Sequence, residues 1–221
     1  MIPLKLQRKR ATKLFNELFD KSKTTITLLG PQDFPEILLA GVQAPVIYVD
    51  GGTRWKEKAP PAAGRGVAIG DGDSSAFAMD MLLPKNKDYS DLSYVFKNIP
   101  PHIKEIYAFG FLGDRRDHEI MNLGEAHHFL KNKDRCLVRF DHEIWAFSAG
   151  EWEIYIDGVF SFANLEACDV KIEGLCDYQI KDDKKVQPLT SLGLSNTARG
   201  KVTFTCSMPF FIYPEKILRF S

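Results

Sequence analysis

The sequence predicts an α/β N-terminal domain with a mainly parallel sheet, followed by an all-β, sandwich-like C-terminal domain. Two observations lead to this prediction. Short apolar strand patterns alternate with helical patterns up to about residue 131, as expected where helices cover a parallel sheet. After residue 133, short segments rich in β-branched and aromatic residues recur between turn residues. We therefore predict a leading helix over 1–23, an α/β domain over 24–134 and a β-sandwich domain over 135–221.

Composition limits the kinds of partner. The 29 basic residues balance the 29 acidic ones, so nothing indicates a nucleic-acid partner. No apolar run approaches the roughly 20 residues that cross a bilayer, so no membrane partner is expected either. The four cysteines have no Cys-x-x-Cys spacing and are expected to be reduced packing residues. We expect a cytoplasmic protein.

The N-terminal part alternates strand and helix patterns. The segment after Asp91 has the clearest helical signal, because Leu92, Val95, Phe96 and Ile99 repeat at helical spacing and Ser90 or Asp91 stands at the N-cap position. The predicted strands are 25–29, 46–50, 67–69 and 105–109, and the predicted helices are 9–19, 33–40, 91–98 and 117–131.

The C-terminal part reads as a succession of short strands. Turn signals at 148–150 and 157–158 separate some of them, and their regular recurrence is typical of a β-sandwich. The predicted strands are 136–140, 144–147, 152–156, 159–162, 169–173, 202–206 and 210–213.

Acidic residues follow the predicted strands. The sequence Gly-Asp-Gly-Asp-Ser over 70–74 comes directly after an apolar strand, and Asp50 ends the preceding one. Carboxylates grouped at strand ends indicate a magnesium–phosphate site. Taken alone, 70–74 is equally a polar turn. It is not a calcium loop, because the twelfth position counted from Asp71 is Leu82 and not glutamate.

Five sequence elements stand in an order that resembles the thiamine pyrophosphokinases. They are Asp-Gly-Gly over 50–52, Gly-Asp-Gly-Asp-Ser over 70–74, Lys-Asp-Tyr-Ser-Asp-Leu over 87–92, Gly-Phe-Leu-Gly-Asp-Arg-Arg-Asp-His over 110–118, and Leu-Ser-Asn over 194–196. The resemblance covers about residues 46–215.

The resemblance implies a homodimer that transfers the β,γ-diphosphate of ATP to the primary hydroxyl of thiamine and leaves AMP. By the same resemblance Asp71, Asp73 and Asp91 would hold Mg²⁺. Arg115 and Lys87 would stabilise charge on the phosphoryl oxygens, and Asp117 would orient or deprotonate the hydroxyl. The implied nucleotide-binding residues are Asp50, Lys87, Asp88, Ser90 and Arg115, and the implied acceptor-binding residues are Asp177, Ser195 and Asn196.

Two departures from the family pattern bear on the acceptor. Asp177 stands where the family usually carries an aromatic residue, and Asp114 stands where it usually carries glycine before Arg115. A carboxylate at position 177 would attract the cationic thiazolium ring. The alternatives are a diphosphokinase acting on another hydroxymethyl heterocycle, such as a pterin, and a non-catalytic nucleotide- or thiamine-binding protein. A phosphoesterase or nuclease fits less well, because the earlier strand ends in Asp50 and not in glutamate.

Overall fold

A computed structural model describes residues 13, 17–19, 21–42, 44–61, 64, 66–75 and 77–220 of the chain. Two compact units divide it, Met1–Glu125 and Ala126–Ser221. Lys13, Glu17 and Leu18 are helical, and most of the predicted leading helix lies outside the described residues. None of the described helices has the length and hydropathy needed to cross a membrane.

The first unit contains a parallel sheet with strand order β5-β1-β2-β3-β4. The pairs β1–β2, β1–β5, β2–β3 and β3–β4 are all parallel, which confirms the predicted sheet type. All four residues of β2 and of β3 are buried, as expected where both faces of a parallel sheet are covered. The strands are β1 (Thr25–Leu29), β2 (Val46–Val49), β3 (Val67–Gly70), β4 (Met81–Leu82) and β5 (Glu105–Phe109).

Two α-helices follow the sheet strands. Helix α1 spans Asp91–Asn98, and its predicted apolar residues Leu92, Val95, Phe96 and Ile99 are all buried. Helix α2 spans Arg116–Leu130, one residue from the predicted bounds at each end. The helix predicted at 33–40 is instead a 3₁₀ helix over Glu36–Gly41, and a second 3₁₀ helix, Asp50–Trp55, directly follows β2.

The second unit is built from antiparallel strands in the order β10-β9-β11-β8-β12-β7-β6, with β13 also pairing with β8. Its core contains a group of stacked rings, including Phe147, Phe162, Phe204 and Phe210. The antiparallel character is confirmed, while the layering into a sandwich stays a prediction. The strands are β6 (Leu137–Phe140), β7 (Ile144–Phe147), β8 (Gly150–Asn164), β9 (Cys168–Cys176), β10 (Ile180–Val186), β11 (Asn196–Cys206), β12 (Phe210–Pro214) and β13 (Ile217–Phe220).

Strand β8 corrects one prediction. The segments 152–156 and 159–162 were predicted as two strands separated by a turn at 157–158, but they form one continuous strand. The reason is pairing, because β11 runs beside β8 along its length and holds Asp157 and Gly158 opposite Arg199 and Ala198. On its other side β8 pairs with β12 near its end and with β13 near its middle.

Candidate functional site

Three aspartates converge at the carboxyl ends of β2 and β3. Asp50, Asp71 and Asp73 each offer a carboxylate oxygen, and these oxygens all lie within 4.8 Å of one another. The parallel register places Val49 opposite Ile69, so the residues that leave the two strands emerge side by side. The structure therefore brings the predicted metal ligands Asp71 and Asp73 together with Asp50, which the strand-end pattern grouped with them and which the resemblance assigned to nucleotide binding.

Close backbone packing holds this edge of the sheet. A Cβ atom on Gly70 would lie 2.8 Å from the Cα atom of Asp50, and one on Gly52 would overlap the carbonyl oxygen of Leu29. Asp50 itself has a φ of 49°, in the left-handed region that aspartate tolerates better than most residues. Glycine at position 70 thus allows the ends of β2 and β3 to approach each other, and glycine at position 52 allows the segment after β2 to approach the end of β1.

The loop after β3 orders its own carboxylates. The backbone N–H of Asp73 donates to Oδ1 of Asp71 over 3.3 Å, and the hydroxyl of Ser74 donates to Oδ1 of Asp73 over 2.9 Å. Gly72 between them has a φ of 77°, which favours glycine. Asp73 is exposed, so its carboxylate is accessible to a ligand from solvent.

Lys87 joins Asp91 to this group. Its ammonium lies 2.7 Å from Oδ2 of Asp71 and 3.2 Å from Oδ1 of Asp91, and its side chain is only 8% exposed. Asp91 is the first residue of α1 and its side chain is 13% exposed. The predicted ligand Asp91 is thus connected to the other three aspartates indirectly, because the Lys87 ammonium contacts both Asp91 and Asp71.

Burial and charge repulsion act in the same direction on the pKa of Asp50 in this cluster. Burial raises the pKa of Asp50, and the negative charges of Asp71 and Asp73 raise it further, while a hydrogen bond from the Gly51 backbone opposes both. Burial also raises the pKa of Asp91, against the effect of Lys87. In contrast, the hydrogen bond from Lys87 lowers the pKa of Asp71.

Two buried carboxylate oxygens of the cluster lack a hydrogen bond from the described residues, Oδ1 of Asp50 and Oδ1 of Asp91, and the second of these has the 3.2 Å ion contact with Lys87. Oδ1 of Asp50 is inaccessible to solvent and has no hydrogen-bond partner among the described residues. A buried polar atom without a partner is costly and rare, so it calls for a ligand. Three neighbouring carboxylates, one with such an oxygen, are the donor set that a hard divalent cation such as Mg²⁺ prefers. The residues present therefore fit the ion that the sequence predicts.

Asp88 and Ser90, both predicted for nucleotide binding, are exposed beside this cluster in sequence. The Ser90 hydroxyl accepts a 3.0 Å hydrogen bond from the backbone N–H of Ser93 and so caps α1. The cap fixes the start of the helix, and with it the position of Asp91.

Arg115 and Asp117 form an exposed pair at the start of α2. The guanidinium donates twice to the carboxylate, from Nε to Oδ1 over 3.0 Å and from Nη2 to Oδ2 over 2.6 Å. This pairing lowers the pKa of Asp117 to about 2. The loop before them turns through Gly113 and Asp114, both with positive φ, and the N–H of Gly113 donates to Glu119.

The predicted acceptor residues lie in the second unit and are fully engaged there. Asn196 is buried, and its side chain accepts from the backbone N–H groups of Tyr178 and Thr197 and donates to the Tyr178 carbonyl over 2.7 Å. The backbone N–H of Ser195, a residue with a φ of 54°, donates to the Ser161 hydroxyl over 3.1 Å.

Asp177 is held by a cation that the sequence patterns did not indicate. Nη1 of Arg199 lies 2.7 Å from its Oδ1, and both side chains are largely exposed. The antiparallel pairing of β9 with β11 places Cys176 opposite Ala198, and the backbone N–H of Asp177 donates to the Thr197 carbonyl, so Arg199 lies diagonally across from Asp177. The carboxylate expected to attract a cationic acceptor is therefore already partly neutralised.

Comparisons with known proteins place the fold. No protein-family model matches the sequence, and no curated protein matches it either. Among solved structures, thiamine pyrophosphokinase from Bacillus subtilis is similar with a TM-score of 0.65 and 22% identity, covering 87% of this chain and 99% of that one. The enzyme from Candida albicans has a TM-score of 0.66 and 11% identity, covering 87% and 88%. The enzyme from Geobacillus thermodenitrificans has a TM-score of 0.64 and 20% identity, covering 87% and 98%. The chain has the fold of the thiamine pyrophosphokinases, which confirms at the level of the fold the family that its sequence resembles.

Proposed function

We propose that this chain is a Mg²⁺-dependent enzyme that transfers the β,γ-diphosphate of ATP to the hydroxyl of thiamine, giving thiamine diphosphate and AMP. The observation that carries the proposal is the group of Asp50, Asp71 and Asp73 at the carboxyl ends of β2 and β3. Open parallel sheets bind their ligands outside these strand ends. The fold of the thiamine pyrophosphokinases supplies the reaction class.

The carboxylates have a defined role in this proposal. Asp50, Asp71 and Asp73 would hold the magnesium ion, whose chemistry when bound is to neutralise phosphate charge. Lys87 orients Asp71 and Asp91 through its ammonium. Asp88 and Ser90 lie at the adjacent helix start and would contact the nucleotide.

Arg115 and Asp117 would act on the transferred group and on the attacking hydroxyl. A guanidinium suits the developing charge on phosphoryl oxygens because it donates in a planar fork. A carboxyl with a pKa of about 2 stays ionised at neutral pH and is a weak base, so Asp117 would orient the hydroxyl by accepting its hydrogen bond. Breaking the Arg115–Asp117 pair would free both groups for substrate.

The test is AMP release from ATP and Mg²⁺ by the purified chain, with and without thiamine. Thiamine-dependent AMP together with thiamine diphosphate is the expected result, and Asp71→Asn serves as the inactive reference. AMP release that is equal with and without thiamine would contradict the proposal that thiamine is the acceptor. A folded protein that binds ATP and never releases AMP would indicate a non-catalytic nucleotide-binding protein.

A different acceptor is the second candidate, and the Asp177–Arg199 pair favours it. An ion pair at the position where the family usually has an aromatic residue offers hydrogen bonds in place of a stacking surface. Such a surface suits a polar heterocycle, for example a hydroxymethyl pterin. Running the same AMP assay with this alcohol in place of thiamine separates the two acceptors.

We also propose that the chain is a homodimer. The second unit exposes large apolar side chains near the Asp177 region, including Leu175 at 60%, Tyr178 at 70% and Leu194 at 60%. Apolar groups exposed together are typical of interaction sites. Light scattering during size-exclusion chromatography gives the mass directly, and a monomer mass at micromolar concentration would contradict the dimer.

A further inference from the structure

Lys87 is the cation of the carboxylate cluster, and it is nearly inaccessible to solvent. Its side chain is 8% exposed, and its ammonium contacts Oδ2 of Asp71 at 2.7 Å and Oδ1 of Asp91 at 3.2 Å. An ammonium taken out of water is tolerated only when close counter-charges and hydrogen bonds compensate for the lost hydration. These two contacts therefore fix Lys87 at one place between the two carboxylates.

The charges of the cluster do not balance without further cations. Asp50, Asp71, Asp73 and Asp91 carry four negative charges when ionised, and Lys87 supplies one positive charge. Three negative charges remain. One divalent cation would leave a single negative charge. Two such cations would leave the cluster positive.

Asp71 has the position of a bridging ligand. Its carboxylate belongs to the group with Asp50 and Asp73, and its Oδ2 binds Lys87, which in turn binds Asp91. In sites with two metal ions, the ions lie about 3.5–4 Å apart, close enough for one carboxylate to contact both. Here the ammonium of Lys87 stands between Asp71 and Asp91, where a second ion would find its ligands.

We infer that Lys87 is a built-in cation that takes the place of a second metal ion, so that the free protein binds one divalent cation, at Asp50, Asp71 and Asp73. The inference rests on the proposed function for the identity of the site and goes beyond it in fixing the number of ions. Lys87 is then a positioning residue. It keeps Asp71 and Asp91 in place at any magnesium concentration, because a covalently attached ammonium does not dissociate.

The test counts Mn²⁺ ions bound to the nucleotide-free protein, by calorimetry and by electron paramagnetic resonance. The wild type is expected to bind one ion per chain. Lys87→Gln removes the charge, and we expect it to bind two ions with a spin-coupled spectrum. Lys87→Arg keeps a charge and is expected to bind one.

Two further variants locate the second ion. The double variant Lys87→Gln/Asp91→Asn should return to one ion, because the new site loses a ligand. Lys97→Gln is the matched control, since it removes an exposed lysine from the other end of α1 and should bind one ion like the wild type. If Lys87→Gln folds only with metal, the number of Mn²⁺ ions required for refolding gives the same count.

Either of two results would overturn the inference. The first is a wild type that binds two ions or none, and the second is a Lys87→Gln variant that binds one. Neither depends on catalysis, so the inference stands or falls separately from the AMP assay. AMP release that does not depend on thiamine would contradict thiamine as the acceptor. One bound ion in the wild type and two in Lys87→Gln would still support the role of Lys87.

Discussion

The carboxylates at the ends of β2 and β3 differ from the polar group around Asn196 in how well they are satisfied. Asn196 uses its side-chain oxygen and nitrogen in three hydrogen bonds, and nearby Asp177 has Arg199 as its counter-ion. In the first group, Lys87 is the cation that contacts Asp71 and Asp91, and Asp50 has a buried oxygen without a hydrogen-bond partner in the described part of the chain.

This difference distinguishes polar groups that stabilise the fold from polar groups suited to binding a ligand. Folded chains satisfy buried polar atoms wherever function allows it, because each unsatisfied atom destabilises the native state by about 1–3 kcal/mol. The hydrogen bonds of Asn196 therefore indicate a role in stabilising the fold. The aspartate group keeps an unmet requirement for positive charge, which a bound cation would meet.

The largest expected effect is on turnover, from Asp73→Asn. The exchange removes a ligand charge with almost no change in volume, and we expect AMP release to fall by about a hundredfold or more. Asp73 is exposed, so the melting temperature should stay within about 2 °C of the wild type. Asp182→Asn, at another exposed aspartate in strand β10, is the control and should retain activity. Full activity of folded Asp73→Asn would remove Asp73 from the metal site.

Asn196→Ala is expected to act on stability instead. It leaves the backbone groups of Tyr178 and Thr197 without their partner in a partly buried place, and we expect a loss of about 1 kcal/mol. Urea denaturation measures it. The Michaelis constant of this variant for the acceptor, measured below its melting temperature, tests whether Asn196 is structural or binds the acceptor. A rise of more than tenfold with unchanged stability would show that Asn196 binds the acceptor.

Asp50→Asn should stabilise the metal-free protein while weakening Mg²⁺ binding. The folded-state pKa of Asp50 is raised, so the stability associated with its protonated form is present below about pH 4 and is lost as the pH rises through that raised pKa. Asparagine cannot ionise, and we expect a gain on the order of 1 kcal/mol at pH 7.

Melting curves between pH 4 and pH 8, with and without Mg²⁺, measure this effect. The gain should vanish toward pH 4, where Asp50 itself becomes protonated. Added Mg²⁺ should raise the melting temperature of the wild type more than that of the variant. A metal-free variant less stable than the wild type at pH 7 would contradict the charge imbalance at this site.

Asp177→Asn should have the smallest effect. Exposed ion pairs contribute about 0–1 kcal/mol, so a melting temperature close to that of the wild type is expected. Arg199→Gln is the sharper variant, because it releases the carboxylate. If Asp177 reaches a cationic acceptor, the Michaelis constant for thiamine should fall in Arg199→Gln and rise in Asp177→Asn. Unchanged constants in both variants would place the pair outside the acceptor site.

The sequence was most informative where structure is local. The bounds and buried face of α1 follow from apolar spacing and the Ser90 cap, both of which lie within one short segment. The association of Asp71 with Asp73 was predictable for the same reason, since one residue separates them. Helix α2 shows the limit of such patterns: Ile120 shares a face with Leu123 by helical spacing, yet Ile120 is 64% exposed and Leu123 is buried, because spacing does not say what covers a helix face.

Features that depend on strand register could not be predicted. Strand β10 is rich in charged residues, so nothing in its own sequence indicates a strand. It forms because it pairs with β9. The Arg199–Asp177 pair depends on how β9 and β11 align across an irregularity in their register. The close approach of Asp50 to Asp71 and Asp73 also depends on register, because β2 pairs in parallel with β3, the strand that precedes Asp71 and Asp73.

The glycine packing at the strand ends has a consequence for how this chain can diverge. Positions 52 and 70 have no room for even one methyl group beside Leu29 and Asp50. Neither glycine can therefore be replaced unless the backbone around it shifts. Structures of the same fold share only 11–22% of their residues with this chain, so the fold itself is compatible with very different sequences. A search profile weighted on these two glycines and the aspartates beside them should therefore detect distant relatives that overall identity misses.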